Sequence, residues 1–193
     1  MVFKFENKLN RLVSENKLNE AIVIAESELL RLPETDFHKI IGRNLFLLIE
    51  GLNNYLETFY NKYTDTLKSV YCEMNGFTIN NDLWFISLFG FDNVGDLEDL
   101  GWLADYSFLS DEVMIITGFE DLQGAYADYI KNEKWDVGSY ETTADICELL
   151  VILRLQELFR ETKKVAQRQD LSWVNVPLFV TAHDSEMIYN CKL

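Results

Sequence analysis

The stretch at positions 83–91, Leu-Trp-Phe-Ile-Ser-Leu-Phe-Gly-Phe, decides the fold because it is the longest largely apolar run in the chain. Apolar residues occupy both of its alternating faces, a pattern typical of a central strand that is covered on both sides. The regions around it are rich in β-forming residues or alternate between polar and apolar residues. They predict further strands at 66–74, 113–117, 174–182 and 187–191.

Turn signals define how these strands connect. Asn75-Gly76 predicts a tight hairpin turn, with residues 77–79 as its return strand. A second hairpin is predicted near the C-terminus, where residues 183–186 form the turn. Pro177 has no backbone N–H to donate, so the strand that contains it is predicted to lie at an edge of the sheet or to carry a bulge.

Helical periodicity covers most of the remaining chain. Helices are predicted over 3–15 and 17–32, where Pro33 ends the second helix, and over 36–63, 118–133 and 143–168. Thr35 or Asp36 is expected to cap the 36–63 helix, inside which Gly42 and Gly51 indicate close backbone approaches. Capping boxes are predicted at Thr117 with Glu120 and at Thr142 with Asp145.

The elements follow the order helices, strands, helices, strands, without βαβ alternation. That order favours an α+β fold in which an N-terminal helical segment packs with a mostly antiparallel sheet and two further helices. We expect a single domain over 1–193, with residues 1–64 as the helical segment and residues 65–193 as the α+β core.

Charge is distributed unevenly along the chain. The sequence has 17 basic and 32 acidic residues, a net charge of -15. Residues 66–153 alone carry 3 basic and 17 acidic side chains, net -14, whereas the two flanking segments are nearly neutral. This excess argues against a protein that binds nucleic acid through phosphate contacts, which require Lys and Arg. Three interpretations remain open: a solvated surface, a surface for a basic partner, and a cation site.

The acidic segment is also rich in aromatic residues, most of which we interpret as core, and carboxylates around an exposed Trp or Tyr suit a binding hot spot. Trp102 and Trp135 are the best candidates for partly exposed anchors because polar residues flank them. The predicted partner-binding residues are Asp96, Glu98, Asp99, Trp102, Asp105, Asp111 and Glu112. If this surface is simply solvated, removal of Glu112 or Asp121 should be neutral or slightly stabilising, because it relieves like-charge repulsion.

No motif for chemistry stands out. His183-Asp184-Ser185 has the residue types of a hydrolase triad, but residues adjacent in sequence rarely converge as a triad does, so we interpret the trio as a turn. The sequence contains no zinc-binding spacing, phosphate-binding loop or dinucleotide fingerprint, and we expect neither a metal nor a cofactor.

Cys72, Cys147 and Cys191 are three in number and widely spaced. With no export signal and no membrane span expected, they indicate a reduced, cytoplasmic protein.

In composition the chain resembles the heterogeneous class of bacterial immunity proteins that neutralise basic toxins, a resemblance that carries over no individual residue. It implies a non-enzymatic, acidic protein-binding module, such as a cytoplasmic inhibitor that occludes a basic protein partner. Two alternatives stay open. One is a carboxylate-based or metal-assisted hydrolase with its site near 92–111, and the other is a helical scaffold that dimerises through its N-terminal helices. Homo-oligomerisation is also left open.

Overall fold

The computed structural model describes residues 2–96 and 99–192. Within them the chain forms five α-helices: α1 (Val2–Ser14), α2 (Leu18–Leu29), α3 (Ile49–Tyr63), α4 (Glu120–Lys131) and α5 (Tyr140–Arg168). The same residues form six strands: β1 (Ser69–Asn75), β2 (Phe85–Phe91), β3 (Phe108–Leu109), β4 (Met114–Ile115), β5 (Leu178–Ala182) and β6 (Tyr189–Asn190). The predicted α+β class is confirmed.

The strands form one sheet in the order β3-β2-β1-β5-β6, and β4 pairs with the other end of β2 beside β3. β1 runs parallel to β5, and the remaining pairings are antiparallel. The predicted mostly antiparallel sheet is therefore present, with a parallel pair at its centre. The parallel pair joins strands that lie far apart in sequence, so α4 and α5 lie between them along the chain.

The helices cover one face of the sheet. On that face the side chains of β1 and β2, among them Cys72, Met74, Ile86 and Leu88, are fully buried. α5 is the central helix of this layer, and its residues Leu150 to Leu153 have no exposed surface. The core residues of α1, α2 and α3 belong to the same hydrophobic cluster as α5 and the sheet.

The prediction that residues 83–91 are covered on both sides is only partly correct. β2 is an interior strand, but on its second face Phe85, Ser87 and Phe89 are only half-buried. Apolar residues at consecutive positions of this strand produce the same sequence pattern as a strand that is covered on both faces. Among the described residues, none of the five α-helices packs on the second face, where Trp102 and Leu103 cover only its end at Phe91.

The predicted helix over 36–63 is wrong in its first half. Residues Asp36–Ile40 form a 3-10 helix that Thr35 caps through His38, and α3 begins only at Ile49. The chain turns at Gly42, which adopts a positive φ of 73°, and a Cβ at this position would meet no atom within 4 Å. Gly42 is therefore required for its backbone conformation and not for a close approach. A side chain at Gly51 would meet only the Met114 methyl at 3.5 Å, an ordinary contact.

Two strand connections also differ from prediction. β1 continues through Asn75, and Phe77, with a φ of 58°, belongs to a turn and not to a return strand. The antiparallel partner of β1 is instead β2, which follows further along the chain. Near the C-terminus, the predicted β5–β6 hairpin is confirmed. However, β5 lies inside the sheet, because Pro177 precedes its first residue and contributes only a carbonyl, which accepts from the Val70 N–H at 2.9 Å.

Neither predicted capping box starts a helix. α4 begins at Glu120, whose carboxylate accepts from the Gly118 N–H, so Thr117 lies outside the helix. α5 begins at Tyr140, two residues before Thr142. The Thr143 hydroxyl, inside its first turn, donates instead to the carbonyls of Ser139 and Tyr140.

Candidate functional site

Most of the predicted partner-binding residues lie on one connection, residues 92–107 between β2 and β3, which we call the acidic loop. Asp96, Asp99 and Asp105 are exposed on it, and Asp99 accepts a hydrogen bond from the Gly101 N–H that starts a short 3-10 helix, Leu100–Ala104. Glu98 lies outside the described residues. The structure therefore gathers three of the predicted carboxylates on one exposed segment.

Trp102 attaches the acidic loop to the sheet. Its ring packs edge-on against Phe91 and Phe179, at centroid distances of 4.9 Å and 5.6 Å. Its indole N–H donates to the Asp96 carbonyl at 2.9 Å. Phe91, Phe179 and Leu103 form a small second core beneath the loop. Trp102 is thus half-buried, with the ring held against the sheet.

The other predicted residues lie beside this loop or away from it. Asp111 and Glu112 follow β3, where both Asp111 oxygens lie 2.6 Å from the Lys62 ammonium. The Glu112 side chain is exposed, and its carbonyl accepts from the Tyr55 hydroxyl at 2.7 Å. Trp135 lies in the helical layer, where it contacts Tyr129. It does not join the other predicted residues.

The sheet surface that the helices leave uncovered continues from the acidic loop. We call it the open face and define it by the outward side chains of β1 to β4: Tyr71, Glu73, Phe85, Ser87, Phe89, Leu109 and Ile115. Leu109 and Ile115 are 44% and 37% exposed, although a solvent-facing antiparallel sheet normally carries polar residues at such positions. Apolar residues on a solvated sheet face are typical of an interaction surface.

A hydrogen-bonded chain of three side chains crosses the open face. The Tyr71 hydroxyl donates to Oε2 of Glu73 at 3.2 Å, and Nδ1 of His183 donates to Oε1 at 2.7 Å. His183 comes from the β5–β6 turn, and its Nε2 is 3.7 Å from an Asp184 oxygen. The hydrogen bond to Glu73 raises the pKa of His183 above its usual value.

The electrostatic character of this surface follows from the sequence between Ser69 and Ile130. These 62 positions contain no Lys, Arg or His, yet they include all of β1 to β4 and the acidic loop. The ion pairs described for their carboxylates come from outside the segment: Arg43 to Asp121, Lys62 to Asp111, Lys134 to Asp128 and His183 to Glu73. The open face therefore carries apolar side chains on both sides of Glu73 and Ser87, and the stretch that forms it and the adjoining loop supplies carboxylates but no cation.

A groove of about 530 Å³ lies between α3 and the β3–β4 connection. Tyr55, Lys62, Ser110, Asp111 and Glu112 contribute to its lining. Burial raises the pKa of Tyr55 to about 12, so its hydroxyl remains a hydrogen-bond donor to the groove wall. Asp96, Asp99 and Asp105 do not line this groove. Of the predicted partner-binding carboxylates that the structure describes, Asp111 and Glu112 thus line this groove, and Asp96, Asp99 and Asp105 lie outside it on the acidic loop.

Among residues 2–96 and 99–192, no group of three His, Cys, Asp or Glu side chains is placed to hold a metal ion. All three cysteines are free and buried, and burial raises the thiol pKa of Cys147 and Cys191 to about 12 in both cases. His183 and Ser185 do lie in a turn, as predicted, and His183 bonds to Glu73, not Ser185.

Comparison with known proteins gives no family. No protein-family model, no curated protein and no solved structure matches the chain. Within the described part of the chain, no helix has both the length and the apolarity that a bilayer-spanning segment needs.

Sequence reasoning missed Tyr71, Glu73 and His183. One signal was present: in β1, Tyr71, Glu73 and Asn75 alternate with the apolar residues Val70, Cys72 and Met74, which marks one face of this strand as partly solvated. The link from β1 to His183 could not be found, because it depends on the parallel pairing of two strands that are about 110 positions apart.

Proposed function

We propose that the chain is a non-enzymatic module that binds a basic protein partner through the acidic loop and the adjoining open face. The observation that carries this proposal is the combination of the exposed apolar side chains Leu109 and Ile115 with the exposed carboxylates of the adjoining acidic loop, in a stretch that has no cationic residue from Ser69 to Ile130. Protein interfaces combine apolar contact residues with polar and charged neighbours in this way.

The physical role of the acidic residues in this proposal is to steer the encounter. A concentrated field of one sign raises the association rate of an oppositely charged protein and suppresses wrong partners. Contacts to the apolar side chains of the open face then slow dissociation, because short-range contacts determine the off-rate. An inhibitor that acts by occlusion needs such a surface and no catalytic group, as the resemblance to immunity proteins implies. The proposed setting is the cytoplasm, which is supported by three free, buried cysteines.

Salt dependence tests the steering role. The chain is used to capture partners from a cell lysate at low salt, and the kinetics of a purified partner are then measured from about 10 to 150 mM salt, where the Debye length falls from roughly 30 to 8 Å. We expect the association rate to fall steeply and the dissociation rate to change little. A partner whose association rate is insensitive to salt would contradict the proposal.

A matched pair of variants locates the surface. The triple variant Asp96→Asn, Asp99→Asn, Asp105→Asn removes three exposed carboxylates from the acidic loop. Its control, Glu20→Gln, Glu34→Gln, Glu50→Gln, removes three exposed carboxylates from the N-terminal segment. We expect the first to lower the association rate about tenfold and the control to lower it by less than about twofold. Equal effects would exclude the acidic loop as the binding surface.

A further inference from the structure

Glu73 is the one carboxylate of the described residues whose side chain belongs to the open face. Its side chain is 21% exposed, so the group is accessible but partly desolvated. Each of its oxygens accepts one hydrogen bond, from Tyr71 or from His183. A carboxylate oxygen can accept two, so Glu73 retains capacity for further donors.

Aromatic rings lie next to this carboxylate. Tyr71 and Phe89 are cross-strand partners with ring centroids 5.8 Å apart, and Phe89 contacts Tyr106 at 4.9 Å. Tyr106 is 47% exposed. A planar cation that bound Glu73 would therefore have ring surface beside it, on which a guanidinium or its aliphatic stem can stack.

His183 already supplies an N–H donor to this carboxylate. It projects from the β5–β6 turn, and its side chain is 43% exposed. The titratable groups that face it are Glu73 and, from its own turn, Asp184. The backbone N–H of His183 donates to the Met74 carbonyl of β1 at 2.9 Å, and the imidazole can leave Glu73 by rotation of its side chain without a break in this bond.

We propose that the open face receives an arginine side chain of the basic partner, whose guanidinium binds Glu73 beside the rings of Tyr71 and Phe89, and that His183 fills this place in the free protein. This inference rests on the proposed function. Arginine fits better than lysine because a planar guanidinium offers paired N–H donors to two carboxylate oxygens and stacks on aromatic rings. The single ammonium of lysine does neither as well.

A hexaarginine peptide is the probe, and hexalysine of the same charge is its comparison. NMR titration follows the imidazole signals of His183 and the ring signals of Tyr71. We expect hexaarginine to shift both and to lower the pKa of His183, because the imidazole loses its bond to Glu73. Hexaarginine should bind more tightly than hexalysine. Binding that leaves the His183 and Tyr71 signals unchanged would overturn the inference.

Three variants separate this site from general charge attraction. Glu73→Gln should weaken hexaarginine binding about tenfold, since charge-assisted hydrogen bonds are lost. Glu20→Gln removes the same charge at an exposed position of α2, away from the open face, and should weaken binding by less than about twofold. His183→Ala should strengthen binding or leave it unchanged. Tyr71→Phe, which removes only the hydroxyl, provides a further variant in case Glu73→Gln does not fold, and it should weaken binding of hexaarginine by about twofold.

The outcomes distinguish the two proposals. If Glu73→Gln and Glu20→Gln weaken binding equally, or if hexalysine binds as tightly as hexaarginine, the arginine site is wrong and the acidic binding surface stands. If the acidic-loop triple variant leaves the association of the captured partner unchanged, the proposed function itself fails. A loss of hexaarginine affinity in His183→Ala would overturn the role of His183 as the group that the arginine replaces.

Discussion

At the residue scale, Gly95 decides whether the acidic loop can lie on the sheet. A Cβ at this position would lie 2.4–2.5 Å from ring atoms of Trp102, which is closer than any real contact. The ring is fixed in turn by Phe91 and Phe179, so it has no room to move away. Gly95 is therefore required by the close approach of the indole and not by its backbone conformation.

Gly95→Ala should accordingly release the loop from the sheet. We expect destabilisation of about 1–3 kcal/mol, the usual cost of overpacking, together with faster amide hydrogen exchange over residues 99–105. Urea unfolding and hydrogen exchange measure the two effects. Gly124→Ala is the control, because Gly124 lies in α4 with no atom near its Cβ position and should gain up to about 1 kcal/mol. Unchanged exchange in the loop of Gly95→Ala would contradict this account.

The contact between Asp121 and Arg43 changes the expected effect on stability of removing the Asp121 carboxylate. Sequence analysis expects its removal to be neutral or slightly stabilising, but both of its oxygens lie within 2.9 Å of the Arg43 guanidinium. Arg43 lowers the pKa of Asp121 against the opposing effect of partial burial. The Arg43 guanidinium also stacks on Phe119 at 5.1 Å. The carboxylate thus helps to hold the turn before α4 against residues that precede α3.

Asp121→Asn should therefore destabilise the fold, by about 0.5–1 kcal/mol because the pair is partly exposed and screened. Glu112→Gln, which removes an exposed carboxylate without an ion pair among the described residues, should be neutral or slightly stabilising. Urea melts at low and high salt compare the two. Equal stability of the variants would contradict the assignment of a role to the Arg43 contact.

At the scale of elements, α5 holds the other elements together. It packs against α2, α3 and β5, and Leu150 on it has no exposed surface. Gln156 connects the helix to the C-terminal hairpin, because its amide donates to the carbonyls of Val180 and Met187 at 3.2 Å and 2.7 Å. Apolar residues at 146–155 lie on nearly all sides of this helix, so it is buried on several faces at once.

Leu150→Ala should cost about 2–5 kcal/mol in the free energy of unfolding, through lost transfer energy plus a cavity that the packed neighbours cannot close. Leu47→Ala is the matched change at a position that is 97% exposed, and it should cost less than about 0.5 kcal/mol. Thermal and urea unfolding give both values. A cost below about 1 kcal/mol for Leu150→Ala would mean that α5 is not the centre of the core.

At the scale of the whole molecule, like charges meet where the two ends of the chain come together. Glu148 of α5 lines a cleft with Glu6 of α1, Asp145, and Asp184 of the β5–β6 turn. Burial, and then repulsion by Asp145 and Glu6, raises the pKa of Glu148 to about 7. The pKa values of Glu6 and Asp145 are raised in the same way.

This cleft makes stability depend on pH in a defined direction. Between the unfolded pKa of Glu148, about 4.5, and its folded pKa of about 7, the folded chain holds a proton that the unfolded chain has lost. Stability should therefore fall by on the order of 2 kcal/mol as pH rises from about 5 to 8. Glu148→Gln should be more stable at about pH 8 than the parent and show a flatter profile in urea melts. An identical pH profile in the variant would contradict this assignment.

The sequence by itself determined the α+β class, the N-terminal helical pair, the burial of α5 and the location of the negative charge. Each of these follows from residue periodicity or composition within one short segment, where local physics is sufficient. It failed where a local pattern has two solutions: the stripe over 36–63 is compatible with one long helix, yet Gly42 turns the chain there. The apolar run at 83–91 likewise did not distinguish two covered faces from one covered face and one open face.

Only the tertiary structure decided which faces remain open and which side chains meet. Glu73 and His183 are 110 positions apart, and they meet because β1 pairs in parallel with β5 and places the turn after β5 beside β1. Trp102 packs on Phe179 for the same reason. Strand pairing between distant segments depends on the packing energy of the whole core, in which many weak contacts are summed. That sum cannot be obtained from any window of the sequence, and in this protein it determines the surface on which the proposed partner binds.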